Sequence, residues 1–173
     1  MKTLFIILLH FVVFVSLSTA QTFSLSKGDA FPKTTFGTVD GELLKTEDLT
    51  GKVVFYNFYF AACSPCLAQK DGLNTLYETF HSEGVVFIAI TFDSIETIKQ
   101  FRNTHGMRFK IVSINREEIS RYTELFPINI LVGVDGKIVL NDSVLKDALD
   151  NKGIIEKFKP SIQEELQKQK KVI

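Results

Sequence analysis

The strongest constraint on the fold is an apolar run that leads into a cysteine pair. Residues 53–66 read VVFYNFYFAACSPC, and residues 53–60 are apolar or aromatic at every position except Asn57. A strand without polar alternation is buried on both faces, as in the centre of a parallel sheet. The run therefore predicts a central strand whose carboxyl end leads to Cys63 and Cys66.

Strand and helix patterns alternate along the rest of the chain. Two Asp-Gly pairs, beginning at Asp40 and Asp135, predict hairpin turns. The further predicted strands are residues 34–39, 42–45, 85–92, 109–114, 128–134 and 137–140. The predicted helices are residues 67–80, 94–105, 117–125 and 143–173, the last with breaks at Gly153 and Pro160. This order predicts a three-layer α/β domain with an antiparallel hairpin at the sheet edge.

The N-terminus has the three-part pattern of a secretory signal peptide. Lys2 precedes an apolar stretch at residues 4–17, and small residues precede a cut after Ala20. The apolar stretch is shorter than the ~18–20 residues of a spanning helix, and the alternative is an uncleaved membrane anchor. We therefore expect residues 1–20 to direct export and residues 21–173 to form one exported domain, in contact with the membrane only if the signal segment is retained.

The charge and the cysteine content limit the classes of function that fit this chain. The chain has 20 basic and 20 acidic residues, which excludes the strong basic excess of a nucleic-acid-binding protein. Cys63 and Cys66 are its only cysteines. A disulfide persists outside the cytoplasm, but this one would close so short a loop that it adds little stability. The pair is therefore better explained by redox chemistry than by crosslinking.

The spacing of the pair suits thiol–disulfide exchange. Cys63 comes just after a buried strand and Cys66 just inside a helix, where unpaired backbone N–H groups favour negative charge. A thiolate on Cys63 is the attacking species, and Cys66 is close enough to resolve a mixed disulfide. Pro65 suits the first helical turn, where its missing N–H does no harm.

Residues 53–66 followed by an amphipathic helix resemble the active-site segment of the thioredoxin fold, and more narrowly the exported TlpA/ResA-like thiol–disulfide oxidoreductases. The similarity covers residues 28–142 and includes residues 127–138, PINILVGVDGKI, which align with the family pattern P-T-x-F-L-I-D-x-D-G-x-I. It implies a thioredoxin-like α/β/α sandwich with a mixed central sheet, an N-terminal β-hairpin and a helix–strand insert at residues 94–115. Residues 143–173 would be a C-terminal helical extension.

The resemblance also implies roles for individual residues. Cys63 and Cys66 would be the redox pair, without any other cofactor, and a cis Pro127 would face Cys63. Phe126, with Ser64 and Pro65, would contact the substrate chain.

The same resemblance implies partners and a compartment. The partners would be exported client proteins and an upstream membrane electron donor, in the periplasm or another extracytoplasmic space. The direction natural to this branch is reductive, as in cytochrome c maturation.

The sequence departs from the family at several positions near the cysteines. Ala62 replaces the usual Trp, and Ile128 replaces the Thr after the proline. Two amides occupy the proton-relay positions: Gln69 lies where some members carry a buried Glu, and Asn57, which matches the family's own Asn, lies where cytoplasmic thioredoxins carry a buried Asp. Because an amide cannot act as a general acid or base, we expect the pH dependence of exchange to arise mainly from Cys63.

Other functions fit the residues less well. A zinc site needs about four ligands, and the mature chain offers only Cys63, Cys66, His81 and His105, without ligand spacing. A peroxiredoxin would carry Pro and Thr where this chain has Tyr56 and Phe60. A copper-delivery protein would need a longer cysteine spacing and a partnering histidine.

Two alternatives stay open. The fold could serve as a non-catalytic binding module that presents Phe126 and an apolar rim while the disulfide stays closed. The polar end at residues 163–171 is either a solvated, partly frayed helix or a basic tail that binds a partner.

Overall fold

The computed structural model of the chain describes residues 22–144 and 149–172. Its strands are β1 (Thr35–Gly37), β2 (Leu43–Lys45), β3 (Val54–Phe58), β4 (Val86–Thr91), β5 (Lys110–Ser113), β6 (Ile128–Val132) and β7 (Ile138–Asn141). Its α-helices are α1 (Ser64–Ala68), α2 (Lys70–Phe80), α3 (Ile95–His105), α4 (Arg116–Ser120) and α5 (Asn151–Val172). Short 3-10 turns cover Thr46–Leu49, His81–Glu83 and Asp142–Val144.

The central sheet is mixed, as predicted. Its strand order is β5-β4-β3-β6-β7, with β3, β4 and β5 parallel and with β6 antiparallel to both β3 and β7. β1 and β2 form a separate antiparallel hairpin. Phe58 pairs with Ile128 across β3 and β6, so the carboxyl end of β3 and the start of β6 meet at one edge of the sheet.

Strand β3 is apolar because both of its faces are covered. Side chains alternate between the two faces of a strand, and all five residues of β3 are buried. Val54, Tyr56 and Phe58 pack into one cluster, whereas Phe55 packs into the other, which contains both cysteines. By the same alternation Asn57 lies on the face of Phe55, beneath the helices.

The two faces of the central sheet are covered by separate layers, one of helices and the other of the N-terminal segment with α4. The cysteine face is covered by α2, α3 and α5, which contribute Leu73, Leu76, Phe80, Ile98, Phe101, Ile154, Phe158, Ile162 and Leu166. The opposite face is covered by α4 and by the chain before β3, through Phe31, Phe36, Leu44 and Ile119. This arrangement confirms the predicted three-layer α/β/α architecture.

Helix α5 continues through both of its predicted breaks. Its buried apolar residues recur at intervals of four and are Ile154, Phe158, Ile162 and Leu166. Pro160 lies inside the helix but on its exposed side. The apolar stripe on the opposite side holds the helix against the sheet. The helix therefore continues although Pro160 cannot donate a backbone hydrogen bond. The helix predicted as an extension is thus part of the domain core.

The end of α5 is solvated along most of residues 163–171, as predicted, but it is helical to Val172 and docked at a few positions, so the prediction that it is partly frayed is wrong. Glu165 is only 3% exposed, and its neighbour Leu166 is in the core. The Gln169 side-chain amide donates to the carbonyl oxygen of Gly51 at 3.0 Å. These contacts, which lie far apart in the sequence, override the polar composition of residues 163–171.

Two other helices differ from their predicted bounds. The helix after the cysteines is divided at Gln69, whose φ of −107° and ψ of 2° are not helical. α4 ends at Ser120 instead of continuing to residue 125. The residues after it make local bonds that are not helical: the Leu125 N–H donates to the Thr123 hydroxyl, and this hydroxyl donates to the Leu125 carbonyl oxygen.

The predicted signal segment, residues 1–20, lies outside the described residues. Within residues 22–144 and 149–172, none of the helices is both long enough and apolar enough to span a membrane.

We predict that Gly72→Ala destabilises the fold. A Cβ atom at Gly72 would clash with Cγ2 of Ile154 and with the backbone of Asn151, where α2 crosses the start of α5. Overpacking costs about 1–3 kcal/mol, which outweighs the gain of about 1 kcal/mol in helix propensity. Chemical denaturation should therefore show a lower free energy of unfolding.

Gly37→Ala is the matched control, because a Cβ atom at Gly37 meets nothing within 4 Å. Equal unfolding free energies for the two variants would contradict the proposed close approach of α2 and α5.

Candidate active site

The cysteine pair lies where β3 gives way to α1. Cys63 is the N-cap of α1, and Cys66 is in its first turn. The two sulfur atoms form a disulfide with an S–S distance of 2.06 Å and a Cα–Cα distance of 5.2 Å. Cys63 and Cys66 are 4% and 5% exposed, whereas Ser64 and Pro65 between them are exposed. The disulfide therefore lies just below a surface formed by the residues predicted to contact substrate.

The backbone around the pair is suited to a negatively charged sulfur. The Cys66 N–H donates to Sγ of Cys63 at 3.2 Å. Pro65 occupies the first helical turn, as predicted. When the disulfide is reduced, the same N–H can stabilise a thiolate on Cys63, because a hydrogen bond to the charged form favours that form.

The loop before Cys63 is held by Asp93, which follows β4. Its Oδ2 accepts hydrogen bonds from the Ala61 N–H at 2.7 Å and from the Thr91 hydroxyl at 2.8 Å. The backbone oxygen of Asp93 also accepts a bond from the Ser113 hydroxyl at 2.8 Å. The ends of β3, β4 and β5 are thereby tied together directly beneath the approach to the disulfide.

Phe126 and Pro127 lie at the same edge of the sheet. The peptide bond between them is cis, as the resemblance implied. The Phe126 ring is 5.5 Å from that of Phe60 and 5.8 Å from that of Phe92, in edge-to-face geometry. These three half-buried rings are named the aromatic cluster below. Phe126 and Phe60 also pack against the core cluster that includes both cysteines.

A chain of buried polar side chains runs beneath the site. Asn57 Nδ2 donates to Asn129 Oδ1 at 2.9 Å, and Asn129 Nδ2 donates at 2.7 Å to both Gln69 Oε1 and Asp142 Oδ2. The Asn129 backbone N–H donates to Asp142 Oδ1 at 2.6 Å, and Gln69 Nε2 donates to the Leu149 carbonyl oxygen at 3.0 Å. The two predicted proton-relay positions are therefore joined by one amide that sequence reasoning missed.

Asp142 places a carboxyl group in this polar chain. Burial raises the pKa of Asp142 above its ordinary value, and the hydrogen bonds from Asn129 and the charge of Lys157 on α5 act in the opposite direction. In the sequence, positions 57 and 69 are the ones at which an acid is expected. The structure supplies one from the 3-10 turn after β7.

One signal for Asn129 was present in the sequence. It is a single amide in the strand INILV, and Asn57 is likewise a single amide in VFYNF; the two residues are register partners in β6 and β3. Asp142 had no comparable signal, because Asn-Asp-Ser after a strand resembles an ordinary turn.

Comparisons with known proteins agree with this geometry. Residues 27–140 match the AhpC/TSA family. The chain belongs to this family. It is 32% identical over 104 residues to the thiol-disulfide oxidoreductase ResA of Bacillus thuringiensis (strain Al Hakam), a match that covers 58% of this chain and 60% of the relative.

Two further relatives extend the comparison. ResA of Bacillus subtilis (strain 168) is 29% identical over 119 residues, with 67% of this chain and 66% of the relative covered. The thioredoxin domain of a thiol-disulfide oxidoreductase from Bacteroides vulgatus superposes with a TM-score of 0.68 at 23% identity, with 80% of this chain and 99% of that domain covered. The match to that domain confirms the thioredoxin-like fold. The chain thus spans about two thirds or less of the length of these two ResA proteins.

We predict that Asp93→Ala loosens the loop that carries Cys63. The substitution removes the acceptor for Ala61 and Thr91, and hydrogen bonds to charged groups contribute about 1.5–3 kcal/mol. The free energy of unfolding should fall by that amount, and amide hydrogen exchange should increase at Ala61.

Asp93→Asn is the matched variant, because its side-chain oxygen can still accept from both donors. It should lose less stability than the alanine variant. An alanine variant with unchanged exchange at Ala61 would show that the carboxylate does not hold this loop.

Proposed function

We propose that this protein is an exported thiol–disulfide oxidoreductase that exchanges the Cys63–Cys66 disulfide with client proteins. The observation that carries the proposal is the disulfide at the end of the central strand, with the Cys66 N–H directed at Sγ of Cys63. Redox-active pairs need an activated sulfur that a client can reach and a second sulfur close enough to attack it. The names of the ResA relatives are consistent with this chemistry.

The reaction in the reductive direction begins with the dithiol form. The Cys63 thiolate attacks one sulfur of a client disulfide, whose other sulfur leaves and takes up a proton. The Cys66 thiol then loses its proton and attacks Sγ of Cys63, which releases the second client sulfur as a thiolate; that thiolate takes up a proton in place of the one that Cys66 lost. The client gains two electrons and two protons, and the protein ends with the Cys63–Cys66 disulfide.

The client would dock on the aromatic cluster and on the exposed turn at Ser64 and Pro65. Phe126 follows Leu125, which is 64% exposed, and the guanidinium carbon of Arg116 lies over the Phe92 ring, 4.5 Å from its centroid. Half-buried aromatic rings with an exposed aliphatic neighbour suit an extended, partly apolar chain segment. Pro127 follows Phe126 directly and would border the bound segment.

The direction and the cellular context are part of the proposal. The signal-like residues 1–20 support an extracytoplasmic location, where an upstream membrane donor would return electrons to the pair. Reduction of client cysteines, as in cytochrome c maturation, is the direction that the family resemblance favours. A measured reduction potential separates a reductant from an oxidant.

The competing functions are a closed binding module and a peroxidase. A binding module would keep its disulfide during client binding, and a peroxidase would consume peroxide at a rate comparable to disulfide exchange. Tyr56 is buried in the core beneath the N-terminal segment, so it contributes nothing to a peroxide pocket at the cysteines. Exchange assays with a test disulfide and with peroxide distinguish the three functions.

We predict that Cys66→Ser traps clients and that Cys63→Ser does not. Without Cys66, the mixed disulfide on Cys63 cannot be resolved, so it accumulates. Non-reducing gels of alkylated extracts should show mixed disulfides between Cys66→Ser and client proteins, and a reductant should cleave them. Cys63→Ser is the matched control.

Absence of adducts with Cys66→Ser, together with no reduction of a test disulfide by the wild-type protein, would exclude catalysis and favour the binding module.

We predict that Phe126→Ala weakens client docking without impairing the sulfur chemistry. The substitution removes one ring of the aromatic cluster, and loss of a buried aromatic anchor in an interface commonly costs about 2 kcal/mol or more. The KM for a protein disulfide should therefore rise roughly thirtyfold or more. The rate with a small-molecule disulfide should stay close to the wild-type value.

Leu43→Ala is the control for loss of exposed apolar surface, since Leu43 is 77% exposed on the separate hairpin. Equal effects of Phe126→Ala on the protein and small-molecule substrates would argue against docking at the aromatic cluster.

A further inference from the structure

A cavity of about 180 Å³ lies at the end of the central sheet that is remote from the disulfide. Val54, the first residue of β3, and Val132, the last residue of β6, both line it. The cysteines follow the other end of β3, so the length of that strand separates them from the cavity. The proposed exchange reaction makes no use of this space.

The cavity is apolar inside and charged at its mouth. Its floor is formed by buried side chains, which are Phe31, Val54, Tyr56 and Val132. Its mouth is formed by exposed residues, which are Lys33, Glu47, Thr50 and Asp135. Lys33 and Glu47 form an ion pair with each other at 3.2 Å. An occupant would therefore enter an apolar space past charges of both signs, which favours a neutral molecule.

The Tyr56 hydroxyl is a polar group of the interior that lacks a partner. Tyr56 is 1% exposed, and its side chain makes no hydrogen bond to any described residue. Thr46, a polar residue of the cavity wall, is already occupied, because its hydroxyl accepts from the Thr34 N–H at 2.9 Å and donates to the Pro32 carbonyl oxygen at 3.0 Å. Buried polar groups are almost always hydrogen-bonded, so the Tyr56 hydroxyl indicates an occupant that supplies the bond.

Comparison with Tyr59 shows that the Tyr56 hydroxyl borders open space. The hydroxyl of Tyr59 is also unpaired among the described residues, but it is completely enclosed. The Tyr56 hydroxyl is not one of the completely enclosed unpaired atoms, and the space that Tyr56 lines is this cavity. The Tyr56 ring itself is fixed by Phe31, which stacks on it with the ring centroids 4.0 Å apart. The hydroxyl is therefore held at the cavity wall.

The Tyr56 hydroxyl is present as a proton donor at neutral pH. Burial raises the pKa of Tyr56 well above its ordinary value, so the group stays protonated. A neutral phenolic hydroxyl can donate one hydrogen bond and accept another. It can therefore recognise either a hydroxyl or a carbonyl group of an occupant.

Water is a poor occupant of this cavity. A buried water molecule is held by two to four polar partners, and the side chains of the floor offer one, the Tyr56 hydroxyl. An apolar cavity of about 150 Å³ stays dry and binds a molecule of the size of benzene. The present cavity is of similar size, and Phe31 and Tyr56 place two rings in its wall, which favours contact with a further ring.

We propose that the cavity at Tyr56 is a binding site for a small neutral aromatic molecule that carries one hydroxyl or carbonyl group. The ring of the ligand would fill the apolar interior, and its polar group would bond to the Tyr56 hydroxyl. The site lies away from the cysteine pair, so the inference does not rest on disulfide exchange.

The test is a titration of the full, isotope-labelled chain with phenol, followed by NMR of the backbone amides. We expect saturable shift changes at Val54, Tyr56 and Val132, with a Kd on the order of millimolar, as suits a ligand of about seven heavy atoms. The amides of Cys63 and Cys66 should not shift. Absence of saturable changes, or changes confined to other surfaces, would overturn the proposal.

Tyr56→Phe tests the hydrogen bond to the ligand. The variant keeps the ring but removes the hydroxyl, so phenol should bind about fivefold more weakly, which is the effect of one neutral hydrogen bond. Toluene has the same shape without the hydroxyl and should bind the variant at least as well as the wild type. Tyr59→Phe is the matched control, because it removes an unpaired hydroxyl on the other face of β3, and it should leave the affinity for phenol unchanged.

Equal affinities of the wild type and Tyr56→Phe for phenol would show that the hydroxyl does not recognise the ligand and would overturn the proposal. Equal losses in Tyr56→Phe and Tyr59→Phe would indicate a general loosening of the core and would also count against it. A protein that binds phenol as expected but reduces no test disulfide would refute the proposed function and leave this inference standing.

Discussion

The hydrogen bonds of Asn129 are the interaction on which the geometry of the site depends. This one amide links β6 to β3 through Asn57, to the junction of α1 and α2 through Gln69, and to the turn after β7 through Asp142. The surrounding core is apolar, so each group has few other partners. An unpaired buried polar group costs about 1–3 kcal/mol, and the network therefore resists any shift of one element against another.

The local patterns of the sequence were sufficient to predict the centre of the fold. The run of β3, apolar except at Asn57, indicated burial on both faces, and the Asp-Gly pairs indicated both hairpins. The position of Cys63 and Cys66 followed from the end of that strand. These features depend on neighbouring residues and on the period of a strand, so they can be read without knowledge of distant contacts.

The features that could not be predicted depend on distant contacts. Asp142 has the sequence context of a turn residue, and only the pairing of β6 with β7 brings it against Asn129. Pro160 looks like a helix break until the buried stripe on the other side of α5 is known. In both cases tertiary packing outweighs a local preference.

The position of α5 in the core determines when, during synthesis and folding, the cysteine pair becomes buried. Ile154, Phe158, Ile162 and Leu166 cover the same face of the sheet as Cys63 and Cys66, yet they leave the ribosome long after the cysteines. A domain folds as a unit once its core residues are available, so the nascent cysteine pair would remain uncovered until the last helix has been made. During that interval its sulfurs are open to oxidation and to enzymes that act on unfolded chains.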